Sequence, residues 1–383
     1  MSVDVQTGPA PPTRALKPPR LREARFEDHS QIASLASKFD LHTESYPAWT
    51  HLWANNPACR ASQVRVPIGW VLDVDGSIAG YLGNIALSYH LEGKTYLAAT
   101  TRAWVVDTPY RSYSPLLLAT YFQQRNIDLF LSTTVNSQSE AAYSSFQSTR
   151  MPVGAWDRTL FWITNYRGFI SSYLRKSASS LTQPLSYPLS AGLYLRDQIK
   201  ESYLPLDNGI PVVPALCFDD RFQSFWEQLR AQKPKILIAD RSQEALDWHF
   251  KFALQQNRAW IYTVEDKSGL IAYAVFLRHD FPQVGLTRMR LADFQCIVPE
   301  NSQNILSAML ATATHRCRKQ SIHMFELVGV TPSLERVLQS ASPHSRPLGS
   351  WLSYYKVNNS ALAGVLKNAE VWEPSLFDGD SSL

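Results

Sequence analysis

The chain has 383 residues, 45% of them hydrophobic and 18% charged, with 11 tryptophans and a net charge of +4. That length is long for one hydrophobic core and comfortable for two, and the composition excludes a disordered or fibrous chain. The basic residues are scattered rather than run together, so no nucleic-acid partner is expected.

Cys59, Cys217, Cys296 and Cys317 show neither CxxC nor Cys/His spacing, so neither a metal site nor a disulfide framework is implied. No apolar run approaches the roughly 20 residues that span a bilayer, and no membrane partner is expected. Met1–Arg20 holds five prolines where a signal peptide has its apolar core. It reads as a disordered leader, and the expected location is cytoplasmic.

Leu21–Phe26 alternates and predicts a short strand. Glu27-Asp28-His29-Ser30 opens a helix with Ile32, Leu35, Ala36 and Phe39 at helical spacing. Trp49, Leu52 and Trp53 form a short amphipathic turn that ends at Asn55-Asn56-Pro57. Gly69–Val74 and Ser77–Ala86 flank Asp75-Gly76, which predicts a tight hairpin. A second hairpin pivots on Glu92-Gly93-Lys94 into a long strand, Thr95–Val106. Pro115–Arg125 predicts a helix, Ile127–Thr133 a buried strand, Ser137–Phe146 a helix and Trp156–Thr164 a final strand.

Gly168–Ile210 holds a helical run, Phe169–Lys176, followed by polar, proline-spaced sequence that reads as a linker. The same order of elements restarts at Val212 and ends near Val357. Asp240-Arg241-Ser242 caps a helix, Gln243–Leu254, and Ala361–Leu383 reads as a loosely attached tail.

The restart is also visible in the residues. Phe26-Glu27-Asp28 returns as Phe218-Asp219-Asp220, Tyr81 as Tyr273, and Leu118-Ala119-Thr120 as Leu310-Ala311-Thr312, each 192 positions later. Ile127–Phe130 returns as Ile322–Phe325, and Gly154-Ala155-Trp156 as Gly349-Ser350-Trp351, each 195 later. An ordered set with so small a drift predicts a duplicated domain, and the period is too long for a solenoid. The expected division is a leader (1–20), a first domain (21–167), a linker (168–210), a second domain (211–358) and a tail (359–383).

This element order resembles the GNAT (Gcn5-related N-acetyltransferase) superfamily, and doubled it is similar to tandem-GNAT acyltransferases. The local match is Val106-Asp107-Thr108-Pro109-Tyr110-Arg111-Ser112-Tyr113-Ser114-Pro115-Leu116. In that family the fourth strand turns into an Arg/Gln-x-x-Gly-x-Gly/Ala loop at a helix N-terminus, where backbone N–H groups cradle a pyrophosphate. The resemblance implies an α/β (α+β) fold of two tandem domains, each a mixed, mostly antiparallel sheet flanked by helices. It implies acetyl-CoA or another acyl-CoA as co-substrate, no metal, and an amine on a small molecule or peptide as acceptor. Cofactor contacts would fall on Trp104, Val105, Val106, Arg111, Ser112, Tyr113, Ser114, Leu116 and Asn136. The loop departs from the pattern: Ser114 and Leu116 replace its small residues, and Pro115 removes a donor.

Tyr143, seven residues after Asn136, stands where family members carry a tyrosine that protonates the departing thiolate; its other reading is a core tyrosine. The second copy departs further. Pro299–Asn304 has neither glycine nor a basic residue, Glu300 would repel a pyrophosphate, and Leu338 stands opposite Tyr143.

Amine acylation also needs a base. Thr100–Val106 contains no carboxylate, and Asp107 at its end reads as a turn cap. Asp293, inside an apolar strand of the second copy, is the candidate catalytic carboxylate and marks a cleft or a buried ion pair; His249 is a further candidate that reads as a helix-surface histidine. Three functions therefore stand open: an acyl-CoA-dependent N-acyltransferase, a non-catalytic GNAT pair, and a FemAB-like aminoacyl transferase.

Overall fold

The computed structural model describes residues 16–41, 43–152, 158–176, 186–199, 208–329, 334, 338, 344–347 and 352–383. Most of the leader and the Trp156/Trp351 match lie outside these residues.

The first half runs β1 (Arg20–Glu23), α1 (His29–Ser37), α2 (Tyr46–Ala54), α3 (Pro57–Ser62), β2 (Gly69–Val74), β3 (Ser77–Leu91) and β4 (Lys94–Val106). It continues with α4 (Ser114–Phe122), β5 (Leu129–Val135), α5 (Glu140–Ser145), β6 (Thr149–Arg150) and β7 (Arg158–Ile163). Two helices come next, α6 (Tyr166–Lys176) and α7 (Ser186–Ile199). The second half runs β8 (Val213–Ala215), α8 (Asp220–Gln232), β9 (Ile238–Ala239), α9 (Gln243–Gln255), β10 (Ala259–Asp266), β11 (Gly269–Arg278) and β12 (Arg288–Cys296). It closes with α10 (Ser302–Lys319), β13 (Met324–Val328), β14 (His344–Pro347) and β15 (Leu352–Val357).

Local chemistry accounts for the hairpins and caps. Asp75 and Gly76 both take positive φ, as a two-residue hairpin turn requires, and Glu92 and Gly93 do the same. Ser242 caps α9 by accepting from the Ala245 amide. Along β3, Tyr81, Ile85, Leu87 and Tyr89 face a core shared by both halves, while Leu82 and Ala86 face a smaller core under α4. Burial on both faces explains why this strand reads as a nearly continuous apolar run.

The first sheet has the order β1-β2-β3-β4-β5-β15-β6, with β9 added against β3; the second has the order β14-β7-β13-β12-β11-β10-β8. Among the strands of the described residues, β4–β5 and β12–β13 are the parallel pairs, and each holds for just three residue pairs before the strands part. Phe26 and Phe218 each precede the first helix of their half, Tyr81 and Tyr273 lie on β3 and β11, and Leu118 and Leu310 lie on α4 and α10. The duplication and the fold class read from the sequence are the ones observed.

Three sequence expectations are corrected. Thr159–Ile163 does not complete the first sheet: β7 pairs with β13, and β15 of the second half pairs with β5. The halves thus exchange their last strands, which a periodic pattern cannot reveal because it specifies a strand and not its partner. The segment read as linker contains a second helix, α7. The C-terminal segment is not loose: Leu362 and Leu366 are fully buried, and Leu376, Phe377 and Asp378 are buried as well. Its apolar residues are spaced irregularly, so the sequence carries no periodic signal for a segment that packs through single helical turns, Ser360–Ala363, Val365–Lys367 and Ala369–Val371, and irregular chain.

Candidate active site

Beyond Thr100 the edge of β4 has no ladder partner on β5, and the two strands diverge. On its other edge β4 carries a bulge: Val105 pairs with Tyr81 and Arg102 with Gly83, so Ala103 and Trp104 together oppose Leu82. Ala103 takes φ +50°, an unusual conformation that marks the bulge. The opening between β4 and β5 is therefore lined by backbone groups that no neighbouring strand satisfies.

Tyr143 reaches this opening from α5. Its hydroxyl lies 3.1 Å from Thr101 Oγ1, which lies 3.0 Å from Ser132 Oγ, so three hydroxyls bridge the strands where they part. The ring is buried against Trp104, Phe122 and Tyr354. Burial raises its pKa, against the opposing pull of Ser132 and Thr101, and the phenol stays protonated at neutral pH. The indole Nε1 of Trp104 is buried with no hydrogen-bond partner. A buried orphan donor of this kind is rare and fits a site that takes an acceptor atom from a ligand.

β4 and β5 run parallel, so the segments that continue from their C-terminal ends stand at the same edge of the sheet as the opening. Arg111, Ser112 and Tyr113 lie in a 3-10 turn, Thr108–Tyr113, that leads directly into α4, where Ser114 is the first residue. Arg111, Ser112 and Leu116 are exposed there. Asp107 accepts from the Thr108 amide at 3.0 Å and pairs with Lys38 at 3.0 Å, which gives it the turn-capping role. Asn136 accepts from the amide and the hydroxyl of Ser139, at 2.9 and 2.8 Å, and so fixes the entry to α5.

Asp293 is not part of this group. It is fully buried in the second half, where the Arg241 guanidinium grips it through Nε at 2.9 Å and Nη2 at 3.0 Å. Tyr273 and Ser375 also donate to it, at 2.7 and 2.9 Å. Burial alone would raise its pKa, but Arg241 outweighs burial and holds it low. Both of its sequence readings are present, the buried ion pair and the cleft. Asp293 also borders a cavity of about 150 Å3 where β12 and β13 part, lined in addition by Phe294, Ser302, Leu327, Val328 and Leu376. The second half therefore keeps an opening at the place equivalent to the first.

The carboxylate that the strand lacks comes from the C-terminal segment. That segment leaves the second-half cavity at Leu376, passes Asp378, which accepts from Arg241 at 3.1 Å, and enters the first-half opening. Gly379 takes φ +136° there, and a Cβ on it would come within 2.2 Å of Thr133 Oγ1. Only glycine fits that approach. Asp380 accepts from Thr134 Oγ1 at 3.0 Å and from Thr133 Oγ1 at 3.3 Å, and burial raises its pKa. Arg102, paired with Glu44, donates to the main-chain oxygens of Asp380 at 3.3 Å and Leu383 at 3.1 Å.

His249 meets Ser382 Oγ at 2.7 Å. It is buried rather than on a helix surface, because its face of α9 packs on Phe377, and burial lowers its pKa to about 3. Sequence reasoning missed Arg102, Thr134 and Asp380. The available signal was the placement of Asp378 and Asp380 directly after Leu376-Phe377. Among the described residues no group of His, Cys, Asp and Glu side chains is arranged to hold a metal ion, and no helix is long and apolar enough to cross a membrane.

No protein-family model matches the chain, and no curated protein matches it by sequence. Solved structures do share its fold. An N-myristoyltransferase from Saccharomyces cerevisiae with bound myristoyl-CoA superposes with TM-score 0.58 at 13% identity, over 91% of this chain and 80% of that one. A GCN5-related N-acetyltransferase from Anabaena variabilis gives TM-score 0.53 at 13% identity, over 88% and 72%. A probable N-acyltransferase from Enterococcus faecalis gives TM-score 0.55 at 8% identity, over the same two shares.

Proposed function

We propose that this chain, which carries the GNAT fold in both halves, transfers an acyl group from a CoA thioester to an amine in the opening between β4 and β5. The observation that carries this reading is the convergence of a protonated phenol, an orphan indole N–H and a half-buried carboxylate on one splayed strand pair. The pyrophosphate would lie against the 3-10 turn at the start of α4, with Arg111 supplying a charge-assisted bond. The unpaired edge of β4 from Arg102 to Val106 would hold the extended arm of the cofactor, as one strand holds another.

In the reaction, Asp380 takes the proton from the acceptor ammonium, and its raised pKa makes it the stronger base. The amine lone pair attacks the thioester carbon. The C–S bond breaks as the amide forms, Tyr143 gives its proton to the departing thiolate, and the phenolate so left takes the second proton that the acylated nitrogen sheds. The acyl group in this reading is acetyl, with a small-molecule or peptide amine as acceptor. Calorimetric titration with acetyl-CoA and with a long-chain acyl-CoA tests it: saturable binding of at least one is expected, and silence with both sinks the proposal.

A second reading, a non-catalytic pair of GNAT halves, is favoured by one observation. Gly379 and Asp380 already sit within the opening, and the loop from Arg111 to Leu116 has no glycine. It predicts that silence.

A further inference from the structure

Helix α7 is amphipathic with its faces reversed. Ser186, Ser190, Leu193 and Asp197, spaced along one helical stripe, face inward, and Ser186 and Asp197 are buried. Asp197 accepts from the Tyr166 hydroxyl at 2.9 Å and meets His344 Nε2 at 2.8 Å, so the polar side of the helix is held by specific bonds. The opposite stripe carries Pro188, Ala191, Leu195 and Ile199, all exposed, the last two at 59% and 83%; Tyr187 and Tyr194 are exposed at its flank, where Tyr194 meets the Tyr166 ring of α6 edge to face at 5.3 Å. Scattered exposed apolar residues are ordinary, but a whole helical stripe of them marks an interaction surface.

The exposed charges of α6 and α7 themselves have one sign. Between Tyr166 and Ile199 the chain has four basic residues, Arg167, Arg175, Lys176 and Arg196, and one acid, Asp197. All four basic residues are exposed, and the acid is the buried one. Arg167 lies over the Tyr187 ring at 4.4 Å, and Tyr173 on α6 is exposed as well, so α6 extends the same surface.

We infer that the α6–α7 hairpin is a peripheral docking surface for an anionic lipid bilayer. Leucine and isoleucine would enter the acyl boundary, the tyrosines would lie at headgroup level, and the arginines and lysine would meet lipid phosphates. An apolar stripe on a pair of helices whose exposed charges are all basic suits a bilayer, which needs no matching groove, better than an acidic protein, which does.

The test uses the full chain and two vesicle preparations, phosphatidylcholine alone and equal parts phosphatidylcholine and phosphatidylserine. Co-sedimentation with the anionic vesicles is expected to be at least about tenfold stronger, and to weaken by about fivefold for each basic residue removed in Arg167→Gln and Arg196→Gln. Leu195→Asp combined with Ile199→Asp is expected to abolish it without moving the thermal midpoint, since both side chains are already in water. Equal binding to the two preparations, no binding, or full binding by the double variant would overturn the inference. So would a dimer, seen by ultracentrifugation without lipid, that the same double variant splits; the stripe would then belong to a second copy of the chain.

Discussion

Asp380 and Thr134 are 246 positions apart in the chain, yet the threonine hydroxyl donates to the carboxylate at 3.0 Å. This contact supplies the carboxylate that the β4 strand lacks. Asp380→Asn keeps the shape of the side chain and removes the proposed base. Turnover is expected to fall roughly 10²–10⁴-fold, with acyl-CoA binding retained. The acid limb of the kcat/KM profile, which burial of Asp380 places above the ordinary carboxylate range, is expected to disappear. An unchanged pH profile in the variant would assign the limb to another group.

Tyr143→Phe removes the proposed proton donor and leaves the packing against Trp104, Phe122 and Tyr354 in place. Turnover should drop by roughly 10²–10⁴-fold, while stability should fall by only about 1 kcal/mol, the worth of one hydrogen bond. Full turnover together with a lowered melting point would make this tyrosine a core residue and nothing more.

The turn before α4 and its counterpart in the second half give opposite expectations. Arg111→Glu should weaken acyl-CoA binding by about tenfold to a hundredfold, the range of a charge-assisted bond. Glu300→Arg, at the corresponding turn before α10, should leave it unchanged. Titration of both variants at matched salt decides this, and equal affinity in wild type and Arg111→Glu would remove the loop from the binding site.

Arg241 holds two buried carboxylates, Asp293 and Asp378. Arg241→Met is expected to cost about 3–5 kcal/mol, because it strands both charges away from water. Urea denaturation measures it, and a loss below about 1 kcal/mol would show that the carboxylates find water or protons without difficulty.

His249 should make the fold acid-sensitive. In the unfolded chain it binds a proton near its ordinary value of about 6.5, whereas in the folded chain it stays neutral down to about pH 3. The unfolded state therefore binds more protons between those two values. Stability contributed by neutral His249 is present above about pH 6.5 and is lost as the pH falls toward about 3, by up to about 1.4 kcal/mol per pH unit. His249→Gln should flatten that loss in urea midpoints taken across the window. Parallel curves would refute it.

The hairpins and the duplication were legible because their signals are local: Asp75-Gly76 and Glu92-Gly93 specify their turns within a few residues, and Tyr81 and Tyr273 preserve a register. Tyr143 was legible through its spacing from Asn136, and the turn after Asp107 through its similarity to a known loop. Arg102 and Asp380 were not, because each has meaning only through a contact made across most of the chain. His249 was misread for the same reason: the ring of Phe377 that covers it comes from a segment with no periodic pattern.

The reciprocal strand exchange also bears on how the chain can be made and divided. During synthesis β5 is finished long before β15, its partner, and its free edge stays open until residue 357 has appeared. The longer strand that emerges soon after it, β7, belongs elsewhere, on β13. The early chain thus faces a nearby wrong partner for an exposed hydrogen-bonding edge, the situation in which slow folding and mispairing arise. Once both crossings are made, neither half can leave without taking a strand out of the other's sheet. Cutting the chain between α7 and β8 would produce two fragments that are each incomplete, and each would carry the strand that the other needs.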